Sequence, residues 1–319
     1  MAGRAGGQRR ISRNHEAVVF PWAGAGPQAF RLSLRSLVGF IKGKGNSRLV
    51  LPRTAPPSPR PIQAFIPKTK VKNKGGQELR GIRKVSREPS SSSLVMVGTV
   101  HRDPKGFGKL LRILEREAPN FITVEISPYA LEFRAKQASH LRAILRENLK
   151  IIQREEGGSY RRFLSYGEIQ GIFLLLKVPF EWRAAAEYAR RSRIGVKAID
   201  LSAYSEEKLA WISELIHIEN LRALLRSSSP AIGGQVILQN KRAQNLWNRP
   251  LASGLPQEEI QERERHMAGE IRRVMEEGNK RKILHVGGWE HLLPASQGKS
   301  LFARLEKFKP CRILLTDDG

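Results

Sequence analysis

Residues 93–104 read SLVMVGTVHRDP, and residues 282–291 read KILHVGGWEH. Each opens as a short apolar run, meets a glycine, and places a histidine three positions after a glycine: Gly98 to His101, then Gly288 to His291. Apolar runs without polar alternation suit strands covered on both faces, as parallel strands are. Glycine at a strand exit lets the backbone turn sharply and pass close to a ligand.

Further strands are expected at 121–126 (FITVEI), 195–201 (GVKAIDL) and 312–316 (RILLT). Leucine and isoleucine at helical spacing predict helices over 105–117, 129–153, 166–177, 181–192, 205–225, 257–277 and 292–308. Strands alternating with amphipathic helices imply an α/β domain: a mostly parallel sheet of at least five strands with helices on both faces. In such sheets ligands bind beyond the carboxyl ends of the strands. The residues at those exits are His101, Glu125, Asp200 and His291.

The chain has 319 residues, 40% of them hydrophobic, and a net charge of +26. The charge is unevenly spread. Residues 1–93 hold 19 Lys and Arg against three acids, contain no Asp, and carry half of the 18 prolines. Such a composition buries too little apolar surface to offset chain entropy, so a disordered basic segment is expected. It reads as an anion-binding arm, as a targeting segment interrupted at Pro21, or as a stretch translated upstream of the true start. Residues 94–319, the expected folded domain, interleave 37 basic with 27 acidic residues, as solvated helix faces do. Nucleic-acid binding is therefore expected only through the basic segment. No run of about 18 apolar residues occurs, so no membrane span is expected. The single Cys311 excludes an internal disulfide and a cysteine-rich zinc site, and fits a reducing, cytoplasmic setting. No sequence feature specifies an oligomeric state.

Two imidazoles and a carboxylate at one sheet edge suit a divalent metal, whether Mn, Co or Zn, with an open position for catalysis. Glu125, between Val124 and Ile126, reads either as functional or as half of a structural ion pair, since an unpaired buried charge is costly. Asp200 reads as a ligand-orienting group or a turn cap. His15, His140, His217 and His285 receive no role, and Trp289 reads as packing. SQGKS at 296–300 lacks the glycine a phosphate loop requires, because Leu293 stands there. No Gly-x-Ser-x-Gly elbow is present.

Taken in order, VMVGTVHRDP…LEREAPNFITVEISPYALEFR resembles the opening of the TraB/PrgY/GumN–Tiki family: an apolar strand, Gly-Thr-x-His, a helix, then Pro-x-x-Val-x-Val-Glu-Leu. His101 and Glu125 stand at its histidine and glutamate. The family's helical Arg-Asp-x-Tyr-Met-Ala is similar to Arg263-Glu264-Arg265-His266-Met267-Ala268, with Glu264 and His266 as replacements. Its closing Val-Gly-x-x-His-Leu is similar to 286–292, with one shifted glycine. AIDLS resembles its strand ending in Asp-Arg, with Leu201 in place of the Arg. The resemblance implies a metal-dependent hydrolase of a peptide or other acyl bond. His101, Glu125 and His291 would hold the metal, and Glu125 would serve as ligand or base. Arg263 would hold a substrate carboxylate or an oxyanion, and Asp200 would orient a ligand histidine. It equally implies a non-catalytic alternative, a metal-, haem- or peptide-binding regulator.

Overall fold

A computed structural model describes residues 90–226, 230–248, 258–277, 282–294 and 300–316. The basic segment lies outside these residues except for its last four, as does most of SQGKS.

The first half runs β1 (Leu94–Thr99), α1 (Gly106–Glu117), β2 (Phe121–Val124), α2 (Pro128–Glu156), α3 (Tyr160–Ser165), α4 (Gly167–Leu175) and α5 (Phe180–Ser192). It continues through β3 (Gly195–Ala198), α6 (Ser202–Ala210), α7 (Ile212–Leu215), α8 (Ile218–Arg226), α9 (Ile232–Leu246) and α10 (Glu258–Glu276). Last come β4 (Ile283–Gly288), a 3-10 turn (Trp289–Leu292), α11 (Leu301–Arg304), a second 3-10 turn (Glu306–Phe308) and β5 (Cys311–Leu314).

The five strands form one sheet in the order β3-β2-β4-β1-β5, and every pairing is parallel. Within β1 the side chains alternate between two cores. Val95 and Val97 join one with Leu284, Val286 and the buried faces of α1, α2 and α5. Leu94 and Met96 join the other with Ile283 and with Met267, Ala268 and Ile271 of α10. Helices therefore cover both faces, as the apolar runs require. The connections before β4 that join β1 to β2 and β2 to β3 pack on the first face, and α10 and α11 on the second. That change of face goes with the change of direction across the sheet, as right-handed crossovers demand. It brings β4 back between β1 and β2.

Two helical expectations are revised. The stretch 205–225 is broken into α6, α7 and α8, with Leu209, Ile212, Leu215 and Leu221 all turned into the core. The stretch 292–308 holds only the four-residue α11 and a 3-10 turn among the described residues. Helices α3 and α9 were not anticipated; α9 is anchored by Ile232, Val236 and Ala243 against Trp289. Trp289 is 3% exposed, in keeping with packing. Among the described residues, no helix is long and apolar enough to cross a membrane.

Candidate functional site

Parallel pairing puts the two Gly-x-x-His stretches side by side, with Gly98 beside Gly287 and Thr99 beside Gly288. On the other flank, the Glu125 amide donates to the Val286 carbonyl at 2.8 Å, carrying β2 one residue past its end. Beyond β3, the Asp200 amide donates to Ile126 O at 3.2 Å. All four predicted exit residues thus lie at the carboxyl edge of one sheet. The chain then turns away under local control. Ser127 caps α2 by accepting from the Ala130 amide at 3.0 Å, with Pro128 at the first helical position. Asp103 accepts from the Lys105 amide at 2.9 Å and pairs with the buried Lys109 at 2.6 Å.

Glu125 is the centre of the cluster, its side chain 6% exposed. Its Oε2 accepts from the Gly288 amide at 2.7 Å. Its Oε1 stands 3.0 Å from Arg263 Nη2 and 3.0 Å from His291 Nε2. Burial alone would raise its pKa, but His291 and then Arg263 hold the carboxyl well below the usual carboxylate range. Arg263 grips Asp200 bidentately, Nε to Oδ1 at 2.9 Å and Nη2 to Oδ2 at 2.8 Å. Desolvation opposes that charge, yet Asp200 and Glu125 raise its pKa. The guanidinium also lies 4.1 Å from the Tyr204 ring centroid.

Each histidine is held from behind by its own carboxylate. His101 Nδ1 is 2.7 Å from Glu181 Oε1, and His291 Nδ1 is 2.5 Å from Glu264 Oε1. Thr99 Oγ1 lies 3.0 Å from the same Glu181 oxygen and 3.2 Å from Gly287 O. Burial works against the His291 imidazolium, but Glu125 and Glu264 hold its pKa well above the ordinary value. For His101 burial again opposes the charge, and Glu181 outweighs it to raise the pKa. Asp200, expected to orient a ligand histidine, instead anchors Arg263; Glu181 and Glu264 do the orienting.

The glycines leave room at the centre. A Cβ on Gly288 would meet His101 Nε2 at 2.9 Å, His291 Cδ2 at 3.3 Å and Glu125 Oε2 at 3.6 Å. One on Gly287 would meet Glu125 Oε2 and His285 Nε2, each at 2.8 Å. His285 is fully buried, with Nδ1 3.1 Å from Thr123 Oγ1 and no partner for Nε2 among the described residues. Burial pushes its pKa down to about 4. A polar side chain inside the apolar run KILHVGG was a signal of the same kind as Glu125. Nothing local in the sequence marks Glu181, which comes from α5.

The donor set suits a divalent cation in type and direction. Both imidazoles turn Nε2 toward one small region, and both Nδ1 atoms are held by carboxylates, the arrangement that orients histidine ligands. As the side chains stand, Glu125 Oε1 is engaged by Arg263 and His291. No group of three His, Cys, Asp or Glu among the described residues is gathered to hold a metal. Searches against protein-family models, curated proteins and solved structures return no match to this chain.

Proposed function

We propose that this chain is a metal-dependent hydrolase of a peptide or other acyl bond, similar to the TraB/PrgY/GumN–Tiki family. One observation carries the reading: two histidines at equivalent strand exits, each backed by its own buried carboxylate, flank the same ionised Glu125. His101, Glu125 and His291 would hold the metal, which supplies Lewis acidity toward an acyl oxygen and toward water. Glu181 and Glu264 hold the imidazole Nδ1–H groups, and Nε2 of His291, which faces Glu125 as the charged ring, would give up its proton to bind a metal. Glu125 is kept ionised by its neighbours, which suits it to be a ligand; to serve as base it would first have to exchange His291 and Arg263 for the water, because the low pKa they impose makes it a weak base. Arg263 has Nε and Nη2 committed to Asp200 and Glu125, so its part is to set Glu125 in place and to stabilise its charge.

The full engagement of Glu125 favours a second reading, a non-catalytic peptide- or metal-binding regulator in which the same network is held closed. Both readings are tested by metal content and peptide hydrolysis on the full chain. The hydrolase reading expects about one Mn, Co or Zn per chain, lost in both His101→Ala and His291→Ala, with hydrolysis lost in parallel. Metal binding without turnover would favour the regulator. No metal after reconstitution would remove the metallohydrolase.

A further inference from the structure

Helix α6 begins directly after Asp200 and carries Tyr204 and Lys208 one turn apart. The Tyr204 ring is shared by two cations, with Arg263 Cζ and Lys208 Nζ each 4.1 Å from its centroid. The two cations differ in one respect. Arg263 is neutralised by Asp200 and Glu125 at hydrogen-bond distance, whereas among the described residues no carboxylate lies within ion-pair distance of Lys208. Lys208 is also substantially desolvated, which lowers its pKa to about 8; Arg263 adds to the lowering, while Asp200 and Glu125 oppose it from farther off. Arg102 contributes a further positive charge to the same place.

Arg102 directly follows His101 and holds φ 70°, in the left-handed region. A non-glycine side chain is strained there. The strain is borne where Asp103 pins the next residues to Lys105 and Lys109. The result sends the Arg102 guanidinium over α4, where its Nη1 would stand 3.4 Å from a Cβ on Gly171. A partly desolvated cation with no counter-ion among the described residues, sharing a ring with the Arg263 that holds Glu125, is an arrangement that a ligand anion completes.

We propose that Lys208, supported by Arg102, binds a carboxylate of the substrate beside the His101–Glu125–His291 cluster, so that the preferred substrate is an acyl compound with a free carboxylate close to the bond cleaved. The inference rests on the hydrolase reading for the word substrate, though the anion site can be tested without turnover. A monoanion is favoured over phosphate because Glu125 and Asp200 lie nearby and would repel a second negative charge. The role expected of Arg263 as carboxylate holder thereby passes to Lys208.

The test measures binding of N-acetyl-alanyl-alanine and of its C-terminal amide to the full chain by calorimetry, with hydrolysis followed separately in the Mn-, Co- and Zn-loaded protein. The acid should bind roughly tenfold or more tighter than the amide. Lys208→Met should narrow that preference toward parity, and Lys208→Arg should retain most of it. Equal binding of acid and amide overturns the proposal. So does a preference that survives Lys208→Met, or inorganic phosphate binding tighter than the acid. Acid preference without hydrolysis in any metal form removes the hydrolase and keeps the anion site. Hydrolysis without acid preference does the reverse.

Discussion

Strands β1 and β4 lie in register, and each leads into a histidine three residues after a glycine, yet the two exits are different environments. His101 keeps 39% of its side chain exposed and leans on one carboxylate, Glu181. His291 is 11% exposed and is held between two, Glu264 and Glu125, with Arg263 alongside. Two residues earlier in the same register, Met96 of β1 pairs with His285 of β4. Equal spacing in sequence therefore sets both histidines just past the same sheet edge, with the β4 motif one residue further on, since Gly98 pairs with Gly287 and not with Gly288. The degree of charge burial at each position is set by what packs above it: α5 over the first exit, α10 over the second.

The largest expected effect breaks the comparison if the exits are in fact alike. Glu125→Ala leaves Arg263 and His291 buried with less compensation, so unfolding free energy should fall by about 3–5 kcal/mol. Glu181→Ala should cost only about 1–2 kcal/mol, because His101 regains water and Thr99 keeps Gly287 O as an acceptor. Equilibrium unfolding in urea compares the two, and equal losses would show that the exits carry equal electrostatic weight.

His285 sharpens the same contrast through pH. Its folded pKa of about 4 lies below the ordinary 6.5, so the unfolded chain binds the extra proton first as pH falls. The stability it contributes is complete above pH 6.5 and is lost progressively between pH 6.5 and 4. The amount is about 3 kcal/mol at most. The raised pKa values of His101 and His291 act with the opposite sign, so the reading is taken as a difference between wild type and variant. His285→Met, which copies β1, should abolish that part of the acid loss; an unchanged pH profile would place His285 in a solvated setting.

An effect of similar size to the Glu181 loss concerns the paired glycines. Gly98→Ala pushes against the Trp247 ring at 2.9 Å and the Trp289 backbone at 3.0 Å. Gly287→Ala pushes against Glu125 and His285 at 2.8 Å. Each should cost about 1–3 kcal/mol in urea unfolding. Only Gly287→Ala should also weaken metal retention, since only it displaces a site carboxylate.

Much of this was legible along the chain. The strand exits at His101, Glu125, Asp200 and His291 followed from apolar runs ending in glycine or acid, because a strand buried on both faces leaves a local signature. Partners were not legible. Arg263 was expected to hold a ligand and Asp200 to orient a histidine; instead they hold each other, since a fork-shaped cation and a carboxylate 63 residues apart meet only once α10 packs beside β3. Glu181 and Glu264 took the orienting role from helices whose sequences show ordinary solvated-face charge patterns.

By itself the sequence determined a mostly parallel α/β sheet of at least five strands and the edge at which its polar residues gather. Hydrophobic period and glycine placement are local properties, and parallel pairing turns them into a shared rim. The tertiary structure alone decided which charges on that rim are neutralised and which are left waiting. Burial and distance govern an ion pair, and neither is encoded in the order of residues. That is why Lys208, one lysine among many in the chain, stands on the Tyr204 ring beside Arg263 with no carboxylate at ion-pair distance among the described residues.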